Sequence, residues 1–248
     1  MALLELHGLS KQFGGLAAVD GLDLAIPAGE VRGLIGPNGA GKTTAFNMIS
    51  GAYLPTSGEI LFNGQKINGF PSHKLCRLGM ARSFQITNIF QGLTVFENVR
   101  LSCQGKTGRI SLFGSVKHLK EQMDETERIL DLTGLSGKRD ELAGNLSHGD
   151  QRHLEIGIAL ASKPTFLLLD EPTAGMNLGE SRNTLELIKK FKGTLTILLI
   201  EHDIDLVFEV SDEISVLHQG RLLAEGDPSA IKANAEVRKA YLGEESDA

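Results

Sequence analysis

The spacing of apolar residues predicts two kinds of strand. Short strands, some with alternating apolar and polar residues, are predicted at residues 3–9, 22–26, 31–35 and 59–62. Continuous apolar runs at 165–169 and 196–200 are typical of strands buried on both faces of a parallel sheet. With helices between the strands, this pattern predicts an α/β core of mainly parallel sheet with an antiparallel β subdomain.

The middle of the chain, from about residue 95 to residue 161, has little strand signal. Residues recur there at helical spacing, namely Leu119, Met123, Thr126, Ile129, Leu130 and Thr133. This predicts an inserted α-helical subdomain, with the stretch 105–114 as the best candidate for a mobile loop. We expect one domain over 1–248. Its parts are a core at 1–85 and 164–226, an insertion at 86–163 and a helical tail at 227–248.

Composition narrows the class of protein. The 41% hydrophobic and 23% charged residues exclude collagen-like, disordered and disulfide-framework chains. A formal net charge of -6 argues against a nucleic-acid partner. Cys76 and Cys103 form no C-x-x-C pair, which favours two free thiols in a reducing compartment.

The apolar runs fall far short of the roughly 18 residues that span a bilayer, and the start lacks a leader pattern. We expect a cytoplasmic or peripheral membrane protein.

A phosphate-binding motif lies between the strand 31–35 and the helical stretch 43–49. Residues 36–44, GPNGAGKTT, match G-x-x-x-x-G-K-S/T. Its glycines let backbone N–H groups and a helix start converge on an anion. Lys42 would reach the β- and γ-phosphates, and Thr43 would give its hydroxyl to Mg²⁺. The alternative is a glycine-rich turn that caps an ordinary helix. The predicted ATP-binding residues here are Gly36, Pro37, Asn38, Gly39, Ala40, Gly41, Lys42, Thr43 and Thr44.

Two adjacent carboxylates follow the continuous apolar run 165–169. Asp170 and Glu171 come at the end of a predicted parallel strand, where open α/β sheets bind their ligands. Asp170 would belong to the Mg²⁺ shell, and Glu171 would polarise the water that attacks the γ-phosphate. The alternative is a strand that ends in a polar turn at Pro172.

Residues 146–152, LSHGDQR, precede a helix with apolar periodicity. They resemble the LSGGQ signature of ABC ATPases, and the order of the phosphate loop, Gln85, the signature, Asp170-Glu171 and His202 is similar to that family from end to end. The resemblance implies a P-loop NTPase core with an inserted helical subdomain. From the residues alone, Ser147 is a good N-cap and Gly149 permits close approach of the backbone. A serine-capped core helix is the alternative.

The resemblance also implies that the signature acts on ATP held by a second subunit, so that each ATP is sandwiched between two chains. The residues concerned are Ser147, His148, Gly149 and Asp150. His148 and Asp150 depart from the common pattern, which has glycine and glutamine there. Asp150 places an acidic group near an anionic ligand; it could equally complete a capping box with Ser147.

Three more residues take roles from the resemblance. His202 would contact the γ-phosphate and orient Glu171, Gln85 would bind Mg²⁺ and act as a hinge, and Phe13 would stack on adenine. A structural or surface histidine and a strand-edge aromatic are the alternatives for His202 and Phe13. The stretch 86–96 would line a groove for a membrane partner or pack in the core. Asn177 lies where the family commonly has an aspartate.

Several phrases resemble the ATPase subunits of branched-chain amino acid uptake systems, among them ARSFQ, LTVFENV, LEIGIALASKP, IEHDIDLV and VRKAYLGEE. That resemblance implies ATP and Mg²⁺ as cofactors and a place at the cytoplasmic face of the membrane. The implied partners are a second ATPase subunit, identical or related, transmembrane permease subunits and an extracytoplasmic solute-binding protein. Urea-type uptake, lipopolysaccharide export, an ABC ATPase of DNA repair or translation, and a soluble P-loop switch or kinase are the alternatives.

Overall fold

The computed structural model describes residues 2–82, 89–105 and 116–242. Contacts divide the chain into two compact units. The first unit comprises Met1–Met80, Thr165–Glu171 and Phe191–Ala248, and the second comprises Ala81–Pro164 and Pro172–Lys190.

The described strands and helices are as follows. The strands are β1 Ala2–Phe13, β2 Leu16–Pro27, β3 Val31–Ile35, β4 Ser57–Phe62, β5 Gln65–Lys66, β6 Met80–Arg82, β7 Phe166–Asp170, β8 Thr196–Ile200, β9 Glu213–His218 and β10 Arg221–Gly226. The helices are α1 Lys42–Ile49, α2 Ser72–Leu78, α3 Val95–Gly105, α4 Val116–Leu132, α5 His148–Ala161, α6 Leu178–Lys189, α7 Ile204–Val210, α8 Pro228–Ala233 and α9 Ala235–Leu242. In this part of the chain no helix is both long and apolar enough to cross a membrane.

An antiparallel sheet in the first unit has the strand order β2-β1-β4-β5. Alternate residues of β1 and β2 are buried, so one face of the sheet packs on the core. Leu4 pairs with Ile26 on β2 and with Phe62 on β4. The predicted antiparallel subdomain is therefore confirmed.

A second sheet has the order β10-β9-β3-β8-β7-β6. Strand β3 is parallel to both β8 and β9, and β7 is parallel to β8. Every residue of β3, β7 and β8 is buried, which the continuous apolar runs predict for β7 and β8. Because these strands run the same way, the phosphate loop after β3 and the polar residues after β7 and β8 come to one edge of the sheet.

The phosphate-loop helix is anchored in the core of the first unit. Phe46 of α1 is fully buried, and Phe166 of β7 packs edge-on against Phe62 of β4, with ring centroids 6.0 Å apart. Large rigid side chains of this kind hold the sheets and the helix in fixed register. The helix that follows the phosphate loop is therefore held by a well-packed core.

The second unit is built from helices α3 to α6 and two 3₁₀ turns, Ser136–Lys138 and Ala143–Asn145. Val95, Val99, Ile129 and Leu130 belong to its core, whereas Leu119 and Met123 on α4 are exposed. Contacts also place residues 172–190 in this unit, although the sequence-based limits assign them to the core. The predicted loop at 105–114 lies outside the described residues except for Gly105, the last residue of α3.

Candidate active site

Glycine is required at two positions of the phosphate loop. Gly36 has φ of 153°, and a Cβ there would lie 2.1 Å from the carbonyl oxygen of Leu217. Gly41 has φ of 99°, and a Cβ there would lie 2.4 Å from the carbonyl oxygen of Ala18. Neither neighbour can give way, because both are backbone atoms. The loop therefore keeps the close backbone approach on which phosphate binding depends.

The lysine and the helix start supply positive charge to this loop. Lys42 is buried, and its Nζ donates hydrogen bonds to the carbonyl oxygens of Gly36 and Pro37, the latter at 2.9 Å. Gly41 at the start of α1 provides no side-chain cap, so no side chain of the cap residue competes for the first N–H groups. An ammonium and a helix N-terminus at one loop favour an anion such as a phosphate.

A cavity of about 670 Å³ opens beside the phosphate loop within the first unit. Its lining includes eight residues predicted to bind ATP and two predicted to be catalytic. The first are Phe13, Asn38, Gly39, Ala40, Gly41, Lys42, Thr43 and Thr44, and the second are Glu171 and His202. Four further lining residues were not predicted, namely Leu16, Ala17, Ala18 and Gln219. They come from the start of β2 and from the β9–β10 turn, which carry no motif of their own. Gly36, Pro37 and Asp170 do not line the cavity surface.

Glu171 and His202 form a polar pair on the cavity wall. His202 Nε2 lies 2.8 Å from Glu171 Oε1. The N–H of Glu171 donates to the carbonyl oxygen of Ile200 at 2.8 Å, which fixes the turn after β7 against the end of β8. Asp170, the last residue of β7, is buried. This contact allows His202 to orient the Glu171 carboxylate, a role that the family resemblance implies and that stays a prediction.

Phe13 is the last residue of β1 and lines the cavity. Its ring is 45% exposed and makes an edge-to-face contact with Tyr53, with ring centroids 5.6 Å apart. Lys11 Nζ lies 5.1 Å from the centroid of the Phe13 ring. An exposed aromatic face on a cavity wall can stack on a planar base. Tyr53 and Lys11 were not predicted to support it.

The signature residues lie in the second unit at the start of α5. Ser147 is the N-cap: its hydroxyl accepts from the N–H of Asp150 at 3.2 Å and donates to Asp150 Oδ2 at 2.9 Å. The capping box considered from the sequence is thus formed only in part, because the Asp150 carboxylate meets the serine hydroxyl. A Cβ on the buried Gly149 would lie 3.0 Å from Glu180 Cγ, so glycine fits this position best.

Three other predictions concern Gln85, the stretch 86–96 and Asn177. Gln85 lies outside the described residues, as do residues 86–88 of the proposed groove. In the rest of that stretch Val95 is buried and Phe90 is 61% exposed, so it combines core packing with surface. Asn177 caps α6 and shares a full capping box with Glu180.

Two family models match the chain. The model described as ABC transporter matches residues 19–174, and the model described as branched-chain amino acid ATP-binding cassette transporter matches residues 221–247. The chain is 41% identical to the high-affinity branched-chain amino acid transport ATP-binding protein BraF of Pseudomonas aeruginosa, over 98% of both chains. It is 42% identical to LivG of Escherichia coli, a protein of the same description, again over 98% of both chains.

Solved structures agree with this assignment. The ADP conformation of MJ1267, an ATP-binding cassette of an ABC transporter, has a TM-score of 0.85 and 30% identity, and the match covers 98% of this chain and 99% of that one. MJ0796, an ATP-binding cassette solved as a dimer with ADP and Pi, has a TM-score of 0.75 and 26% identity, over 91% and 98% of the two chains. The chain therefore belongs to the ABC transporter family, among the ATP-hydrolysing, ATP-binding subunits of its branched-chain amino acid group.

Proposed function

We propose that this chain hydrolyses MgATP in the cavity beside the phosphate loop and thereby drives uptake of branched-chain amino acids through separate membrane subunits. The observation that carries the proposal is the meeting of three chemical parts in one cavity of the first unit: the phosphate loop, the Glu171–His202 pair and the exposed ring of Phe13. The substrate class rests on the descriptions of BraF and LivG.

The phosphate loop binds the triphosphate. Backbone N–H groups of residues 38–44 and the Lys42 ammonium surround the β- and γ-phosphates, and Phe13 stacks on adenine. Thr43 is exposed to the cavity, and Asp170 is a buried carboxylate at the end of β7. Hydroxyl and carboxylate oxygens suit a hard cation. Thr43, Asp170 and Gln85 would therefore hold Mg²⁺, which neutralises charge on the phosphate oxygens when bound.

Glu171 then positions the nucleophile. Its carboxylate accepts a hydrogen bond from a water molecule in line with the γ-phosphate, and His202 holds that carboxylate in place. Attack of the water oxygen on phosphorus breaks the bond to the ADP oxygen. The products are ADP and inorganic phosphate, and the water proton passes through Glu171.

The chain works as one of two ATPase subunits. The start of α5, with Ser147, His148, Gly149 and Asp150, would contact the γ-phosphate of ATP held by the second subunit, which is a copy of this chain or a related one. The dimeric state of MJ0796 supports this arrangement. Permease subunits would receive the movement at the cytoplasmic face of the membrane, and an extracytoplasmic solute-binding protein would deliver the amino acid.

Glu171→Gln tests the proposal. The amide keeps the size of the side chain but accepts a proton poorly, so we expect ATP binding to be retained and hydrolysis to fall by about 100-fold or more. The measurements are ATP turnover by the purified transporter and uptake of radiolabelled leucine, isoleucine and valine by source cells. Lys42→Ala is the comparison variant, and it should lose ATP binding as well.

The two halves of the proposal can fail separately. Unchanged uptake of all three amino acids in a Glu171→Gln strain that lacks redundant systems would exclude the branched-chain substrate. Undiminished ATP turnover in the purified variant would exclude the role of Glu171. Loss of both activities at normal protein level supports the whole proposal.

A further inference from the structure

The signature carries an acidic residue, Asp150, at a helix start that is proposed to contact an anionic phosphate. Asp150 lies in the first turn of α5, where the helix dipole favours negative charge. A fixed carboxylate at that position satisfies the helix by itself and repels a second anion. If the start of α5 contacts the γ-phosphate of ATP on another subunit, this charge has to be offset within the chain.

Lys138 offers that offset. It is the last residue of the 3₁₀ turn Ser136–Lys138, and its Nζ contacts Asp150 Oδ2. The buried Leu135 anchors this turn, and the N–H of Lys138 donates to the carbonyl oxygen of Leu135 at 2.9 Å. The Lys138 side chain is 42% exposed and that of Asp150 is 22% exposed. The ammonium is therefore held at the signature by a packed turn and still faces water.

The titration behaviour of both groups agrees with a stable ion pair. Burial opposes ionisation of Asp150, but hydrogen bonds from Lys138 and Ser147 outweigh it and lower the pKa of this carboxyl below its usual value. The hydrogen bond to Asp150 raises the pKa of Lys138. Both groups are charged at neutral pH, so the pair has no net charge.

The donor count at Ser147 gives Lys138 a second role. A serine hydroxyl has one proton to donate, and Ser147 donates it to Asp150 Oδ2. Lys138 has three donors. The Asp150 carboxylate therefore keeps a charged partner when the Ser147 hydroxyl rotates to donate to a phosphate oxygen.

We propose that Lys138 is a positioning residue for the signature: it cancels the charge of Asp150 and leaves Ser147 able to bind the γ-phosphate of ATP on the opposite subunit. This inference rests on the proposed function, because it requires an ATP sandwich. Lys138 acts through Asp150 and not on the nucleotide. Its importance must therefore disappear when Asp150 loses its charge.

The test is a pair of substitutions in the assembled transporter, with ATP hydrolysis as readout. For Lys138→Ala we expect the KM for ATP to rise about fivefold, the scale of one ion pair near the surface, with a smaller change in kcat. Lys138→Arg should stay close to the native KM. The double variant Lys138→Ala, Asp150→Gln should have a lower KM than Lys138→Ala alone, because no uncompensated carboxylate remains. Lys189→Ala, which removes the ion pair of Lys189 with Glu186 in the second unit, should leave KM unchanged.

Thermal unfolding separates these effects from misfolding, since Lys138→Ala and Lys189→Ala should melt within a few degrees of each other. A native KM in Lys138→Ala would overturn the inference. So would a double variant that remains as impaired as Lys138→Ala alone, because Lys138 would then not act through Asp150. If Glu171→Gln shows native hydrolysis in the same assay, the proposed function fails, and this inference fails with it.

Discussion

At the residue scale, Glu171, the proposed catalytic carboxylate, has an unusual backbone conformation. Its φ of 47° lies in the left-handed region, which costs a residue with a Cβ about 1–2 kcal/mol. The hydrogen bond from its N–H to Ile200 and the contact with His202 hold it there. Strain of this kind is retained where it aims a side chain at a site. The sharp turn directs the carboxylate into the cavity immediately after the buried Asp170.

His153 predicts a pH dependence of stability. Burial lowers the pKa of His153 below its ordinary value of 6.5, although a hydrogen bond with the Thr133 backbone and the charge of Asp150 act in the opposite direction. The unfolded chain therefore binds this proton more tightly than the folded protein, and stability rises with pH in that range. The contribution is present above about pH 6.5 and is lost as pH falls through the folded-state pKa.

The measurement is urea unfolding at about pH 7.5 and about pH 5.5, on either side of the ordinary histidine pKa. From about pH 7.5 to about pH 5.5 the free energy of unfolding should fall in the native protein and fall less in His153→Gln. In this variant the half-buried amide can still bond to Thr184 Oγ1, which lies 3.0 Å from His153 Nε2. His73→Gln is the matched control, because His73 is exposed and should keep the native difference. Equal pH dependence in native and His153→Gln proteins would contradict the prediction.

Sequence motifs locate the residues that we propose to bind and hydrolyse ATP, and miss the residues that contact them. The phosphate loop, Glu171 and His202 were predicted because each follows a buried strand at a fixed place. Tyr53 and Lys138 were missed, because a contact between Phe13 and Tyr53, or between Lys138 and Asp150, depends on which turns come together in three dimensions. No spacing in the chain encodes those contacts.

At the element scale, α6 begins with a complete capping box. Asn177 Oδ1 accepts from the N–H groups of Gly179 and Glu180 at 2.9 and 3.0 Å, and Glu180 Oε2 accepts from the N–H of Asn177 at 3.2 Å. These contacts satisfy N–H groups that have no partner within the helix. Asn177 thus has a structural role at a position where the family commonly has an aspartate.

Substitution of Asn177 should show how much its helix cap contributes to the free energy of unfolding. Asn177→Ala should lower the free energy of unfolding by about 1 kcal/mol, the usual cost of losing an N-cap. Asn177→Asp should stay within about 0.5 kcal/mol of the native protein, because aspartate caps equally well and its charge suits a helix N-terminus. Urea unfolding of the three proteins measures this. Equal destabilisation by alanine and aspartate would show that the amide group itself is needed.

Strand prediction succeeded where the apolar pattern is strong. The runs 31–35 and 196–200 coincide with β3 and β8, and the run at 165–169 is shifted by one residue from β7. Strand β6 was missed because its three residues are too few to show a period. Strand β1 extends to Phe13, beyond the predicted 3–9, because irregular register with β2 lets pairing continue past Gly8.

At the scale of the whole molecule, the chain passes from the first unit to the second and back again twice. Residues 172–190 follow a core strand, yet they group with the helical unit. The reason is the packing of α6 with α5, where His153 meets Thr184 and Gly149 meets Glu180. An amphipathic helix specifies that it has a partner but not which one. The predicted limits therefore assign residues 172–190 to the core, whereas the contacts assign them to the helical unit.

One buried arginine connects several parts of the first unit. Arg32 on β3 is 2% exposed, and its guanidinium contacts Glu30, Glu225 on β10 and Ser215 on β9. It also donates to the carbonyl oxygen of Ala25 on β2 at 3.3 Å. Burial opposes this charge, but the hydrogen bonds to Glu30 and Glu225 outweigh it and raise the pKa of Arg32. The carboxylates in turn depend on Arg32 for their neutralisation.

Arg32→Met should therefore destabilise the first unit by about 3–5 kcal/mol, because it leaves partly buried carboxylates without a counter-charge. Arg221→Met is a matched control: Arg221 on β10 pairs with Asp20 on β2 at 2.6 Å, but its side chain is 72% exposed. Loss of that pair should cost less than about 1 kcal/mol. Urea unfolding of the native protein and both variants measures these two losses of unfolding free energy. A similar small loss in both variants would contradict this prediction, because it would mean that water reaches Glu30 and Glu225 freely once the guanidinium is gone.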